Sequence, residues 1–374
     1  MDDLKKISNE ELDRRISILT SEVSRLNNIQ MANKILMNSE YGALANKWLR
    51  YYDIRLASAV TVSGQLAIRW IENYLMAHPL QKKYNWEVIY SDTDSVYLSV
   101  EKLAKKIENK NPDPHNIVDK LSEFSDKVLQ PIINKGYDLL SKYVNANENR
   151  MFMKREKISS KGLWTGKKKY ALLVYDDEGV RYQDAKLKVT GIETVRSSTP
   201  PFVKKRLEKV LKLILTEPDN LAQYIDETKK MFYGADPYDI ALTVSVRTLE
   251  KYKTIVKNNF TNDTELSYKK GTPIGVRAAI VYNGYIIKND LYNRFPEIMP
   301  GDKIKYLFLK MPNPMFENVF GFVKNIPNHD EIAQYIDIET QFYKTFLKPI
   351  ENITTKINMI IDNIDEFDIH SLFD

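Results

Sequence analysis

The first 41 residues contain neither glycine nor proline, and this uninterrupted run commits the start of the chain to one long helix. Ser8 followed three residues later by Glu11 reads as a capping box, with Ile7 placed to staple onto Leu12. Leu12, Ile16, Leu19, Val23 and Leu26 recur at alternating four- and three-residue spacing, which draws a single apolar stripe. Such a helix must lie against something; a coiled-coil dimer is one solution, although the stripe is short for one. The run continues through KILMNSEYG, with Gly42 as the expected break. Lys34, Asn38 and Tyr41 stand at i, i+4 and i+7 and so share one face. A cation, an amide and a ring aligned this way suit a phosphate chain and a base, and a mixed polar surface has the same spacing.

A second constraint lies at Glu87–Val100, EVIYSDTDSVYLSV. Val88 and Tyr90, then Val96, Leu98 and Val100, have the two-residue period of strands facing a core, and Ser91–Ser95 between them reads as a hairpin turn. Asp92 and Asp94 then sit at the rim of a sheet. Carboxylates this close repel unless a cation lies between them, so a divalent metal is one reading and ordinary turn chemistry the other. The chain has no cysteine, which excludes disulfides, thiolate zinc sites and cysteine nucleophiles. Its four histidines, His78, His115, His329 and His370, show no metal-ligand spacing, so metal chemistry must rest on carboxylates.

Between Lys154 and Tyr170 the cations Lys154, Arg155, Lys157, Lys161, Lys167, Lys168 and Lys169 face only Glu156. Interleaved with Trp164 and Tyr170, they suit a polyanion, and they equally describe a solvated lysine-rich loop. Arg150–Tyr182 is expected to have strand character, particularly at Tyr170–Tyr175 just after the block, followed by a turn at Asp176–Gly179. Elsewhere the pattern predicts a buried helix over Leu49–Leu75 packed under the Asp92/Asp94 sheet, and a helix over Ile117–Tyr143 kinked or bounded at Pro131. A composition shift at Ser197–Pro201 marks a domain boundary. Beyond it come a basic helix at Phe202–Leu215, strands at Ala278–Tyr282 and Ile304–Leu309, and helices at Glu331–Lys348 and Pro349–Asp362. The acidic end, IDEFDIHSLFD, reads as a docking peptide or a frayed terminus. At 374 residues and 43% hydrophobic the chain is long enough for two or three cored domains. It has no apolar run of membrane-spanning length, and its charged N-terminus does not read as a secretory signal.

The order KILMNSEYG, YSDTDS, GKKKY resembles the C-terminal half of family B DNA polymerases, with surrounding text most similar to the replicative enzymes of T-even bacteriophages. Lys34–Gly42 matches the family's Kx₃NSxYG fingers motif, Asp92 and Asp94 its DTDS palm motif, and Lys167–Tyr170 its KKRY motif. Gly191–Pro200 (GxETxxSSTP) and Gly301–Lys303 (GDK) extend the likeness over nearly the whole chain. The resemblance implies an α+β fold: an antiparallel palm sheet with packed helices, one fingers helix and a mainly helical thumb. The expected divisions are 1–46 for the second fingers helix, 47–194 for the C-terminal part of the palm, and 195–374 for the thumb and tail.

It implies also nucleotidyl transfer from a dNTP to a primer 3′-hydroxyl with two Mg²⁺ ions. Asp94 and Asp92 would be metal ligands, with Glu156 a candidate auxiliary ligand. Lys34, Asn38 and Tyr41 would bind the nucleotide, Lys34 also acting on charge in the transition state. Lys167, Lys168, Lys169 and Tyr170 would hold primer-template DNA through its backbone. The location implied is the cytoplasm of an infected bacterial host, or the cytoplasm of a cellular source.

The sequence departs from the family pattern in places. Ser91 stands where Gly is usual, Lys169 where Arg is usual, and Lys154 where the phage proteins are acidic. The tail resembles the start of a clamp-binding tail and stops at Asp374, so sliding-clamp docking is not carried over. The family's DxxSLYPS carboxylate, its exonuclease domain and the other fingers helix are not found in this sequence. The expectation is therefore a split polymerase, completed by an N-terminal polypeptide that supplies all three, with the Leu12–Leu26 stripe packed on its helix. The alternatives are a non-catalytic DNA-binding or scaffolding subunit, which four intact motif residues argue against, and a fragment of a longer polymerase.

Overall fold

The computed structural model describes residues 8–192, 194, 196–257 and 264–361. Ile7 and the acidic end from residue 362, and with them the staple and the tail, lie outside the described residues. Packing divides the chain into two compact units, Met1–Lys154 and Arg155–Asp374.

The first unit opens with α1, Asn9–Leu44, one helix of 36 residues. The Ser8 hydroxyl accepts from the Glu11 amide at 3.3 Å, while the Glu11 carboxylate takes a bond from Arg15 Nε at 2.9 Å. Gly42 does not break the helix, which ends two residues later with the Ala45 amide bonded to the Gly42 and Ala43 carbonyls. No residue of α1 is buried. Helix α2, Ile54–Ala77, starts later than the pattern implied because Asp53 caps it, accepting from the Arg55 amide. Burial is confined to Ala57, Ala67, Ile71 and Leu75, so the expectation of a buried helix holds only for its C-terminal half. Leu56, Val60 and Val62 stay exposed.

After α3 (Pro79–Tyr84), strands β1 (Glu87–Asp92) and β2 (Ser95–Ser99) form an antiparallel pair in which Asp92 faces Ser95. Helices α4 (Glu101–Glu108), α5 (Pro114–Phe124) and α6 (Gln130–Tyr143) follow. Between the last two, Ser125–Leu129 winds as a π-turn immediately ahead of Pro131, the predicted kink. The core joins Ala67, Ile71 and Leu75 of α2 to Trp86, Phe124, Leu129 and Ile133, with Val96, Leu98 and Val100 packed on it. Trp86 is wholly buried and donates its indole N–H to the Leu75 carbonyl at 3.1 Å, which pins the start of β1 to the end of α2. The Trp70 indole likewise donates to the Gly136 carbonyl at 2.9 Å, tying α2 to α6.

The second unit begins with an antiparallel meander of β3 (Lys157–Gly166), β4 (Lys169–Asp177) and β5 (Val180–Thr190). Leu163, Ala171 and Leu173 from its inner face share a core with Val203, Leu207 and Val210 of α7 (Pro201–Thr216). The chain continues through α8 (Leu221–Tyr233), α9 (Pro237–Ile240), β6 (Leu242–Ser245), α10 (Leu249–Tyr252), and the hairpin β7 (Lys253–Lys257) and β8 (Thr264–Tyr268). It then forms α11 (Ile274–Lys288), β9 (Lys303–Phe308) and β10 (Val319–Phe322), with sheet order β10-β9-β6, and closes on α12 (His329–Ala333), α13 (Ile338–Phe342) and α14 (Lys348–Lys356).

Two expectations fail here. Ala278–Tyr282 belongs to α11 and is not a strand; that helix buries Val276, Ala278, Ala279, Ile280, Tyr282 and Ile286 around much of its circumference, so it shows no polar face to betray its period. The predicted helix from Glu331 to Lys348 is interrupted because Ile336 makes a β-bridge with Leu309, separating α12 from α13.

Candidate functional site

Asp92 and Asp94 occupy the tip of the β1–β2 hairpin, where Thr93 adopts a left-handed φ of 55°. The turn is tight: the Asp94 amide donates to the Asp92 carbonyl at 2.6 Å, the Ser95 hydroxyl to the same carbonyl at 3.1 Å, and the Thr93 hydroxyl to Asp92 Oδ1 at 3.0 Å. Asp94 is exposed and Asp92 half-buried. The hairpin is held from behind, because β2 seats Val96 and Leu98 on the Trp86 core. The ring of Tyr90 packs against that of Tyr97 across the pair, centroids 5.5 Å apart and planes tilted by 54°.

Lys34, Asn38 and Tyr41 all lie on α1 and are exposed, one above another over two turns. Apolar side chains crowd the rest of this helix surface: Ile16 is 60% exposed, Leu19 63%, Val23 56% and Leu26 51%, and Ile29, Ile35, Leu36 and Met37 are exposed too. Beside them in sequence, Trp48, Leu49, Tyr51, Leu56, Val60 and Val62 are also exposed. Contiguous apolar exposure on this scale marks an interaction surface.

The basic block belongs to the second unit. In keeping with the strand character expected over Arg150–Tyr182, its residues from Lys157 to Gly166 form β3. Lys167 and Lys168 make the two-residue turn into β4, flanked by the pair Gly166 and Lys169, and Lys168 has a φ of 58°. Trp164 stands opposite Tyr170 across the strands. The expected reversal at Asp176–Gly179 is present, with Glu178 and Gly179 both at positive φ.

At that far end of the meander sequence reading missed a charged cluster. Asp176 is wholly buried and meets Arg155 Nη1, Arg181 Nε at 2.9 Å and the Gly179 amide at 3.1 Å. Next to it, Asp177 receives Lys157 at 3.3 Å and Lys188 at 3.1 Å. Burial pushes the Asp177 carboxyl up, but hydrogen bonds from Lys188 and Lys157 outweigh it and hold the group below its ordinary value. Glu156 lies at this end: its carboxylate is largely exposed and 3.6 Å from Lys157 Nζ, and its carbonyl accepts from the Glu178 amide at 2.5 Å. The only sequence hint of the cluster was the pairing of Arg155 with two aspartates some twenty residues later, and linear spacing does not encode strand register.

The family model for DNA polymerase family B matches residues 14–111 and 121–356. The chain belongs to DNA polymerase family B. Among its relatives, the DNA-directed DNA polymerase of Escherichia phage RB69 is 33% identical over 371 residues, covering 94% of this chain and 39% of that protein. The DNA-directed DNA polymerase of Enterobacteria phage T4 is 30% identical over 382 residues, covering 96% of this chain and 40% of that protein. DNA polymerase II of Escherichia coli is 28% identical over 202 residues. The chain thus spans about two fifths of the length of these phage relatives. The α+β class expected of the family is the one observed.

Against the chemistry of this family, the hairpin carboxylates fit a divalent cation as part of a donor set. Mg²⁺ takes carboxylates together with substrate phosphates and water rather than an all-protein cage. Among the described residues no group of three or more His, Asp and Glu gathers closely enough to hold a metal. No helix among them is long and apolar enough to cross a membrane.

Proposed function

We propose that this chain is the fingers-helix, palm and thumb portion of a DNA-directed DNA polymerase, adding dNTPs to a primer 3′-hydroxyl on a template. The divisions proposed are 1–46 for the fingers helix, 47–194 for the palm and 195–374 for the thumb. The family match, together with Asp92 and Asp94 both at the tip of a braced hairpin, carries the reading.

In this reading Asp94 and Asp92 hold Mg²⁺, which when bound supplies charge neutralisation for the attacking oxygen and the departing pyrophosphate. Lys34 and Asn38 bind the triphosphate, Lys34 adding a positive charge where negative charge grows. Tyr41 packs at the nascent base pair. Lys167, Lys168, Lys169 and Tyr170 grip the duplex backbone, a salt-dependent and sequence-independent contribution. Glu156 sits in the cluster at the opposite end of the meander from Lys167 and is proposed only as an auxiliary ligand.

A second polypeptide completes the enzyme, bringing a further palm carboxylate, the exonuclease domain and a fingers helix that covers α1. What supports this is the uncovered apolar surface from Ile16 to Val62. Primer extension tests the reading: the chain alone is expected to be nearly inactive, and active when mixed with an N-terminal family B polymerase segment carrying DxxSLYPS. Robust synthesis by the chain alone would remove the need for a partner, and no synthesis by the mixture would count against the polymerase reading.

A further inference from the structure

The turn that carries Lys167 and Lys168 has a neighbour outside the meander. Strand β5 pairs with β4 up to Thr190, which faces Tyr170, so the next residue, Gly191, runs alongside the Lys168–Lys169 backbone. Gly191 has a φ of 66°, and a Cβ placed on it would stand 2.0 Å from the Lys168 carbonyl oxygen and 3.1 Å from its carbon. That is deep inside van der Waals contact, and the obstacle is backbone. Gly191 itself has no freedom to retreat. Thr190 is fixed by its strand partner on one side, and on the other Ile192 and Thr194 are buried. The Lys167–Lys168 turn, exposed at the end of the β3–β4 pair, is the part that gives way.

We infer that Gly191 is a positioning residue for the duplex grip: its bare Cα is the seat against which the Lys168 carbonyl rests, setting where the two lysines point. The inference rests on the reading of Lys167–Tyr170 as a duplex contact. It assigns to Gly191 no contact with DNA and no charge.

A matched control lies in the same meander. Gly179 also has a positive φ, 91°, but a Cβ there meets nothing within 4 Å. Alanine at either position pays the cost of a left-handed backbone, and only at Gly191 does it also displace the turn. Asparagine tolerates left-handed φ, so Gly191→Asn relieves the strain and keeps the collision.

The test is binding of a labelled primer-template duplex to the full chain across a salt series, with thermal unfolding of each variant alongside. Lys167→Ala/Lys168→Ala should bind about tenfold more weakly, with a salt slope lower by about two. Gly191→Ala and Gly191→Asn should reproduce most of both changes with every lysine in place, while Gly179→Ala binds like the parent. A reduced salt slope at unchanged net charge is a signature that simple destabilisation does not produce. Parental binding by Gly191→Asn would overturn the inference, as would equal weakening in Gly179→Ala. Unfolding of both Gly191 variants beside a folded Gly179→Ala would make Gly191 a support of the sheet and overturn it too. Parental binding by the double lysine variant would instead overturn the duplex-contact reading on which the inference stands.

Discussion

Arg181 Nε lies 2.9 Å from Oδ2 of Asp176, a carboxylate with no solvent exposure. With Arg155 on the other oxygen, the buried charge is compensated from β5, from the Gly179 amide in the β4–β5 turn and from the segment leading into β3. Removing the carboxylate strands two guanidiniums, so Asp176→Ala is expected to cost about 3 kcal/mol. Arg181 is more exposed, and Arg181→Ala should cost about 1 kcal/mol or less. Urea denaturation of the chain measures both.

The neighbouring Asp177 gives the meander a pH dependence with a definite sign. Its folded pKa is depressed, so in the acid range the unfolded chain binds the extra proton and stability rises with pH. The stabilisation is complete above the ordinary aspartate value of about 4 and is lost as pH falls through the lower folded value. Asp177→Asn should therefore lower the melting temperature at pH 7. The gap between the two proteins should close as the pH falls below about 4, read by melting curves over a pH series.

Leu19→Asp combined with Val23→Asp alters side chains that are already exposed, so the melting temperature should move little. In the reconstituted mixture the same double variant should abolish or greatly weaken complementation, because it places charge in the apolar contact. A pull-down of the N-terminal segment, read beside primer extension, distinguishes lost association from lost chemistry.

Asp94→Asn should leave the fold intact, since the side chain is exposed at the hairpin tip. Synthesis by the mixture should nevertheless fall by more than about a hundredfold, beyond what even outer metal partners cost. Lys34→Ala should lower kcat and raise KM for the incoming nucleotide together, as expected of a group that binds both the ground and transition states. Steady-state extension with varied dNTP separates the two effects.

The long helix was legible because the absence of glycine and proline is a local property, and the β1–β2 hairpin because Val96, Leu98 and Val100 alternate after the Asp92 turn, although the register of β1 shifts between Val88 and Tyr90. Strand β3 was legible only as general strand character over Arg150–Tyr182, without bounds, because register shifts around Ser159 and Trp164 break the period and its lysines gave it the look of a loop. Helix α11 was misread for the opposite reason, since burial on most sides leaves no period to see. The two aspartates of the hairpin and the lysine turn could be named from motif order. The seat at Gly191 and the Asp176 cluster could not, because both depend on which residues face one another across strands.

Helix α1 has a mechanical consequence. It is rooted at its C-terminal end, where the Asp53 amide donates to the Leu44 carbonyl at 3.0 Å, and rises about 1.5 Å per residue from there. Lys34 then sits about 15 Å from the root and Leu12 about 48 Å, so the helix is a lever with its load near the fulcrum. A tilt that carries Leu12 through 3 Å moves Lys34 by only about 1 Å. Whatever takes hold of the far end gains fine control over the position of a single ammonium group.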